Sequence, residues 1–256
     1  MTNDHIFETA LVQSAIDCGC APSDFLGKEN VVVISKKNEK ARRYLDLPFS
    51  CNLVSYGNNI VASVSEALAD DVKKYIDTYP AEHCFETPNM HVLDALLAKY
   101  GEGTCFMAEY FLPDVSKLRE LPCDLKMKLL FPSDFGALYL PEWSNALCEK
   151  RKELDVLGVG AYDGDTLVGF AACSADCGTM WQIGIDVLPG YRRRGIASAL
   201  TSRLALEIIE RGKVPFYCAA WSNVKSVRNA IKCGFRPAWV ELTAKKTDFI
   251  CKMNER

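Results

Sequence analysis

The feature that most constrains this chain is a short basic segment between a predicted strand and a predicted helix. Residues 187–197 read Val-Leu-Pro-Gly-Tyr-Arg-Arg-Arg-Gly-Ile-Ala, and apolar residues then recur at every fourth position from 196 to 208. The first amides of a helix have no intrahelical partner and carry the positive end of the helix dipole. Gly195 and Ala197 allow an anion to approach the backbone closely. Arg192, Arg193 and Arg194 add charge-assisted donors, so the segment predicts a phosphate site, with a solvated basic turn as the alternative.

The second half of the chain alternates predicted strands and helices around this segment. Alternating apolar residues indicate strands, and apolar residues spaced by three and four indicate helices. Asp163-Gly164-Asp165 suits a hairpin turn, and Gly212 and Gly234 suit helix ends. Helices are predicted from Pro132 onward, at Ile196–Glu210 and at Ser222–Cys233. Strands are predicted at Leu125–Leu129, Val156–Tyr162, Thr166–Cys173, Met180–Leu188, Val214–Ala219, Ala238–Thr243 and Asp248–Met253.

The first half is a further α/β region without a chemical motif. The prolines and charges of Pro113–Pro122 mark the best boundary, which divides the chain into domains 1–120 and 121–256. Strands are predicted at Val31–Ile34, Leu53–Tyr56, Ile60–Val64 and Thr104–Leu112, and helices at Asn38–Leu45, Ser65–Thr78 and Pro88–Tyr100.

The composition argues against several classes of protein. Apolar residues make up 49% of the 256, enough for a globular core. Lys plus Arg is 30 against 33 Asp plus Glu, so the net charge of −3 argues against a general nucleic-acid binder, although a local basic patch stays open. No apolar run approaches the ~20 residues of a membrane helix, and Met1–Ile6 does not resemble a secretory signal. We therefore expect a cytoplasmic protein without membrane partners.

Twelve cysteines are a high number for such a chain. Most lie in apolar runs, which favours buried free thiols over disulfides. Cys18 with Cys20, and Cys173 with Cys177, have the spacing of metal half-sites, but neither pair has a clear second half. No metal site is predicted.

The basic segment resembles the coenzyme-binding motif of the GNAT superfamily of N-acetyltransferases, Q/R-x-x-G-x-G/A. Here it reads Arg192, two residues, Gly195, one residue, Ala197. Asn223, followed eleven and twelve residues later by Gly234-Phe235, has the spacing typical of the family, and Asp163–Gly169 looks like its second hairpin. The resemblance covers about residues 123–253. The stretches 141–145 and 180–182, together with the long N-terminal half, are similar to a bacterial subgroup of the family.

The resemblance implies a fold and a co-substrate. The fold is α/β (α+β): a central mixed, mostly antiparallel, splayed sheet flanked by helices, with an additional N-terminal α/β domain. The co-substrate is acetyl-CoA. Its pantetheine arm would bond the backbone of Ile185, Asp186 and Val187 like an added strand. The amides from Arg192 through Arg193, Arg194, Gly195 and Ile196 to Ala197 would hold the pyrophosphate, and Asn223 and Ser226 would contact the coenzyme further along.

The implied reaction is direct transfer, in which an amine attacks the thioester carbonyl. The sequence departs from the family at both acid–base positions, because Ala230 replaces the tyrosine acid seven residues after Asn223, and Cys218 replaces the glutamate base five residues before it. Asp186 and Glu109 are the replacement candidates for the base, and Cys218 for the acid or a nucleophile. Structural roles for all three stay open. Further residues could line an acceptor pocket: Glu142 and Asn145 on a predicted helix, and Trp181 and Trp221.

The sequence thus predicts an acetyl-CoA-dependent N-acetyltransferase acting on a primary amine of a small molecule or peptide. The N-terminal domain would cap the acceptor side. The alternative is a non-catalytic acyl-CoA-binding sensor, suggested by Ala230 and Cys218. In a third hypothesis the N-terminal half is an interaction or dimerisation unit, so a homodimer stays open.

Overall fold

The computed structural model describes residues 1–255, which contain six α-helices and ten strands. The helices are α1 Asn3–Cys18, α2 Ala69–Thr78, α3 Thr87–Ala98, α4 Ile196–Glu210, α5 Val224–Lys232 and α6 Thr247–Asn254. The strands are β1 Val31–Ile34, β2 Cys51–Ser55, β3 Val61–Val64, β4 Glu102–Pro113, β5 Lys126–Leu130, β6 Asp155–Asp163, β7 Thr166–Ser174, β8 Met180–Val187, β9 Val214–Ala219 and β10 Phe235–Lys246. This confirms the predicted α/β class.

The chain forms two compact units, each built from two stretches. The first unit contains Met1–Thr9 and Tyr110–Pro237, and the second contains Ala10–Glu109 and Ala238–Arg256. The predicted division into consecutive domains 1–120 and 121–256 stays a prediction.

The sheet of the first unit is mixed and mostly antiparallel. Its strand order is β4-β9-β8-β7-β6-β5, with β4 contributing Tyr110–Pro113. The ladders β5–β6, β6–β7 and β7–β8 are antiparallel, and β8–β9 is parallel. The β6–β7 hairpin closes at Asp163 and Thr166 around the positive φ of Gly164, as predicted.

Helix α4 packs its apolar stripe on one face of this sheet. Leu200, Leu204 and Ile208 are fully buried there in the main core. Gly169 of β7 permits the contact, because a Cβ atom at this position would lie 2.8 Å from Ile196 Cγ2. A second, smaller core covers the opposite face of the sheet and contains Leu130, Phe135, Trp143, Ala146, Leu147, Phe170 and Ala172.

The second unit has its own sheet and core. Strand β1 pairs with β3 in parallel, and β2 pairs antiparallel with both β3 and β10. Strands β2 and β3 are buried throughout, as is typical of central strands covered on both faces. Their core includes Val72 and Ile76 of α2 and Leu93 and Leu97 of α3.

Two predictions in the second unit are wrong. Asn38–Leu45 contains turns and bends instead of a helix, because side chains satisfy its amides: Asn38 Oδ1 accepts from Lys40 N at 3.0 Å, and Asp17 Oδ1 accepts from Arg42 N at 2.9 Å. Asp248–Met253 is not a strand but belongs to helix α6. The spacing of Phe249 and Met253 is that of one helix face.

Two differences concern elements of the first unit. The region after Pro132 forms separate 3₁₀ turns at Pro132–Asp134, Gly136–Leu138 and Pro141–Trp143 instead of a regular helix. Gly136 and Pro141 interrupt the segment, so Glu142 and Asn145 do not share an α-helix. Helix α1, which begins in this unit, was not predicted.

None of the twelve cysteines, all within the described part of the chain, forms a disulfide. Six of them are buried: Cys18, Cys51, Cys84, Cys173, Cys177 and Cys233. Between residues 1 and 255 there is no helix with the length and apolar character that crossing a bilayer requires.

Candidate functional site

The basic segment forms an open entrance to helix α4. Strand β8 ends at Val187, a 3₁₀ turn spans Pro189–Tyr191, and α4 begins at Ile196. Gly195 is the N-cap, with φ +83°, and no side chain caps the helix. A Cβ atom on Gly195 would meet nothing within 4 Å. The first amides of α4 therefore lie beside open space, as an anion site requires.

Contacts within the first unit fix the conformation of this loop. Arg192 Nε donates to the Val187 carbonyl at 2.9 Å, and Tyr191 Oη donates to Asp163 Oδ2 at 2.8 Å. The guanidinium of Arg194 lies over the Tyr191 ring, 5.3 Å from its centroid. Arg193 has φ +65°, which is unusual for a residue with a side chain. The guanidinium groups of all three arginines stay exposed, although one nitrogen of Arg192 is committed to the loop.

Strands β8 and β9 separate beside this entrance. They pair only over Met180–Gln182 and Val214–Phe216. Within residues 1–255, the ladder of Ile183–Val187 is with β7 alone. Ile185 and Val187 are half-buried against the α4 core. One edge of β8 is thus available to an extended ligand, which is the splay that the sequence predicts.

Asn223 and Ser226 lie at the start of α5, directly after β9. Asn223 Oδ1 accepts from Ser226 N at 3.3 Å and caps the helix. Ser226 Oγ lies 2.7 Å from Tyr217 Oη. Tyr217 is buried, and this burial raises its pKa above the usual value.

The Asp186 carboxylate is fully engaged by a neighbouring segment. It accepts from Asn145 N at 2.8 Å, from Asn145 Nδ2 at 2.6 Å and from Ala146 N at 3.0 Å. Gly184 permits this approach, because a Cβ atom there would lie 1.8 Å from the Asn145 carbonyl oxygen. The geometry makes Asp186 an anchor for residues 145–146, and its role as a base stays a prediction.

The other candidate catalytic groups lie in different environments. Gln182 Nε2 donates to the half-buried Cys218 Sγ at 3.1 Å, on the face of β8 and β9 opposite α4. Ala230 is completely buried and offers no donor. Glu109 belongs to the second unit, on β4, where burial raises the pKa of its carboxyl to about 7. Trp181 is half-buried against the α4 core, and Trp221 is exposed.

Within residues 1–255, no group of three His, Cys, Asp or Glu side chains is arranged to hold a metal ion. Sequence reasoning missed Tyr217 and Gly184. Their roles depend on Ser226 and Asn145, which alternation along a strand does not reveal.

Comparison with known proteins gives a family and several solved structures. The GNAT acetyltransferase family model matches residues 115–238. No curated protein matches the chain. A GCN5-related N-acetyltransferase-like protein from Streptococcus suis is 25% identical with a TM-score of 0.45, covering 60% of this chain and 67% of that one.

Two further structures are less similar in sequence. A putative GNAT acetyltransferase from Novosphingobium aromaticivorans is 18% identical with a TM-score of 0.43, covering 56% of this chain and 66% of that one, slightly under two thirds of its length. A putative acetyltransferase from Salmonella typhimurium, with its cofactor acetyl-CoA, is 16% identical with a TM-score of 0.37, covering 49% and 95%.

Proposed function

We propose that this chain, whose residues 115–238 match the GNAT acetyltransferase family model, transfers an acetyl group from acetyl-CoA directly to a primary amine of a small molecule or peptide. The observation that carries the proposal is the separation of β8 from β9 next to the uncapped start of α4. A ligand that has both an extended arm and an anionic group would bind where these two features lie side by side.

The groups around this position suit acetyl-CoA. The pyrophosphate needs amide donors, positive charge and room, which the first turn of α4, the exposed Arg193 and Arg194, and the open Gly195 would supply. The amide-rich pantetheine arm needs an unpaired strand edge, which Ile185, Asp186 and Val187 would supply through their backbone. Asn223 and Ser226 would lie at the far side of the gap, at the start of α5.

When bound, acetyl-CoA supplies an activated acyl group with a thiolate leaving group. The protein's own task is to hold the acceptor amine in its neutral, nucleophilic form and to accept the proton that the amine loses during the transfer. Glu109 is the candidate base whose pKa, raised to about 7 by burial, suits that task. Asp186 is the weaker candidate, because its carboxylate already accepts three hydrogen bonds. Cys218 remains the candidate acid or nucleophile.

A second candidate function is a non-catalytic acyl-CoA sensor. The buried Ala230, which occupies the position of the family's tyrosine acid, favours this alternative. It predicts tight binding of acetyl-CoA and no turnover with any amine.

Release of free thiol from acetyl-CoA across a panel of amines distinguishes the two functions. The panel should contain polyamines, aminoglycosides, amino acids and lysine peptides. Thiol release with one class, together with a mass increase of the amine by one acetyl group, supports the transferase. Binding of acetyl-CoA without release across the whole panel would refute it and favour the sensor.

A further inference from the structure

A polar cluster lies between β9, α4 and α5, inside the first unit. Tyr217 Oη and Ser226 Oγ are 2.7 Å apart. Asn229 adjoins them, accepting from Ser198 Oγ at 3.0 Å and donating to Thr201 Oγ1 at 3.0 Å. Either hydroxyl of the Tyr217–Ser226 pair could be the donor, and when Tyr217 donates to Ser226 the Ser226 proton is left for another acceptor.

This cluster lies where the strands part. Gln182 and Phe216 form the last pair of the β8–β9 ladder, and Tyr217 is the next residue of β9. Its ring packs among Phe111 and Phe235 on the α4 side of the sheet. Ser226 is in the first turn of α5 and is half-buried, whereas Tyr217 is only 2% exposed. The pair therefore joins a buried hydroxyl to a partly accessible one.

We propose that Ser226 donates a hydrogen bond to the sulfur of the departing coenzyme and that Tyr217 is the positioning residue that orients the Ser226 hydroxyl. The proposal rests on the proposed function. Ala230 is fully buried and has no hydrogen-bond donor in its side chain, so the proposal assigns this donor role to Ser226.

The chemistry balances without proton transfer from either hydroxyl. The amine nitrogen forms a bond to the acetyl carbon, the carbon–sulfur bond breaks, and its electron pair stays on sulfur. The amine's proton leaves to solvent or to the base. Ser226 keeps its proton and stabilises the thiolate through the hydrogen bond. Burial raises the pKa of Tyr217, so its hydroxyl keeps its proton at neutral pH and is able to donate to Ser226.

The direct test is the pKa of the coenzyme A thiol when bound to the full chain. Coenzyme A carrying ¹³C at the carbon bonded to sulfur reports this pKa by NMR titration. A donor to the thiolate lowers it, so we expect the bound thiol in Ser226→Ala to titrate about one pKa unit higher than in the wild type. Tyr217→Phe should give an intermediate value. Ser222→Ala, an exposed serine just before α5, is the matched control and should match the wild type.

Kinetics gives the second readout. Ser226→Ala should lower kcat about tenfold while KM for acetyl-CoA changes less than threefold, because the hydrogen bond strengthens as charge develops on sulfur. Tyr217→Phe keeps the ring packing and provides the test if Ser226→Ala does not fold.

The outcomes separate the two proposals. An unchanged bound-thiol pKa in both variants overturns the role of Ser226 and Tyr217, and leaves the transferase standing. The expected pKa shift without acetylation of any amine supports the donor and contradicts the transferase. Failure of the wild type to bind coenzyme A overturns both.

Discussion

Replacing Gly184 by alanine should detach residues 145–146 from strand β8. A Cβ atom at this position would lie 1.8 Å from the Asn145 carbonyl oxygen and 3.1 Å from Ala146 Cα. Real Cβ atoms keep at least 3.0 Å, so the oxygen must retreat by about 1.2 Å, the difference between the two distances. The obstacle is backbone, which cannot rotate away as a flexible side chain could.

The magnitude follows from the bonds that this movement breaks. Asp186 accepts three hydrogen bonds from residues 145 and 146, at 2.6, 2.8 and 3.0 Å. Each contributes about 1 kcal/mol net, because water replaces part of the interaction at a half-exposed carboxylate. The expected loss is about 3 kcal/mol of unfolding free energy, which corresponds to a decrease in Tm of about 6–12 °C.

Urea and thermal unfolding of three variants measure this loss. Asp186→Ala removes the hydrogen bonds without the clash and should be destabilised no more than Gly184→Ala. Gly178→Ala is the matched control, since a Cβ atom there meets nothing within 4 Å, and should stay within about 0.5 kcal/mol of the wild type. A Gly184→Ala protein as stable as the Gly178→Ala control would refute the contact and the anchoring role of Asp186.

Further predictions concern three ionisable side chains, of which Glu109 is half-buried and Asp155 and Arg42 are buried. If Glu109 is the base, kcat/KM rises with pH through about 7 as the carboxyl loses its proton. Glu109→Gln should remove this rise and lower the rate at least a hundredfold, whereas the exposed control Glu29→Gln should keep the wild-type pH dependence and rate. A rise that persists in Glu109→Gln contradicts the role. Burial raises the pKa of Asp155 to about 6, so the folded chain holds a proton that the unfolded chain has lost, and the contribution of Asp155 to the unfolding free energy falls by about 3 kcal/mol between pH 4 and 7. Urea unfolding at the two pH values should show that Asp155→Asn differs from the wild type by this amount, and an identical pH dependence would contradict the raised pKa. In the second unit, Arg42→Met leaves the carboxylates of Asp17 and Glu241 buried without their cation, and it should lower the unfolding free energy by about 3–5 kcal/mol. Urea unfolding of the exposed control Arg43→Met should show little loss. Equal stability of the two variants would contradict the buried ion pairs.

The sequence predicts best what is encoded locally. Helix α4 and strand β9 have the predicted bounds, because an apolar stripe and a terminal glycine fix the former and a short apolar run the latter. The loop from Arg192 to Ala197 is encoded locally too, since its glycine and arginines act over a few residues, and its role as the anion site stays a prediction.

The structural features that the sequence does not reveal depend on contacts between residues far apart in the chain. The amide of Arg42 is taken by Asp17, 25 residues away, which prevents the predicted helix at Asn38–Leu45. The requirement for glycine at position 184 comes from Asn145, on a segment of 3₁₀ turns that has no periodic pattern. The contact between Tyr217 and Ser226 depends on which face of β9 meets α5, and the residue pattern along either element does not encode this.

The central claim is that the entrance to α4 holds the pyrophosphate of acetyl-CoA, and calorimetric titration of acetyl-CoA tests it most directly. The comparison uses the wild type, Gly195→Glu and Gly212→Glu. Gly195 and Gly212 flank α4, both have positive φ and both have open space at Cβ, so the two variants carry the same charge and a similar backbone strain. We expect one acetyl-CoA per chain for the wild type and Gly212→Glu. Gly195→Glu should bind at least a hundredfold more weakly, because it places a carboxylate where the anion binds. Equal affinity of Gly195→Glu and Gly212→Glu, or no binding to the wild type, would contradict the claim.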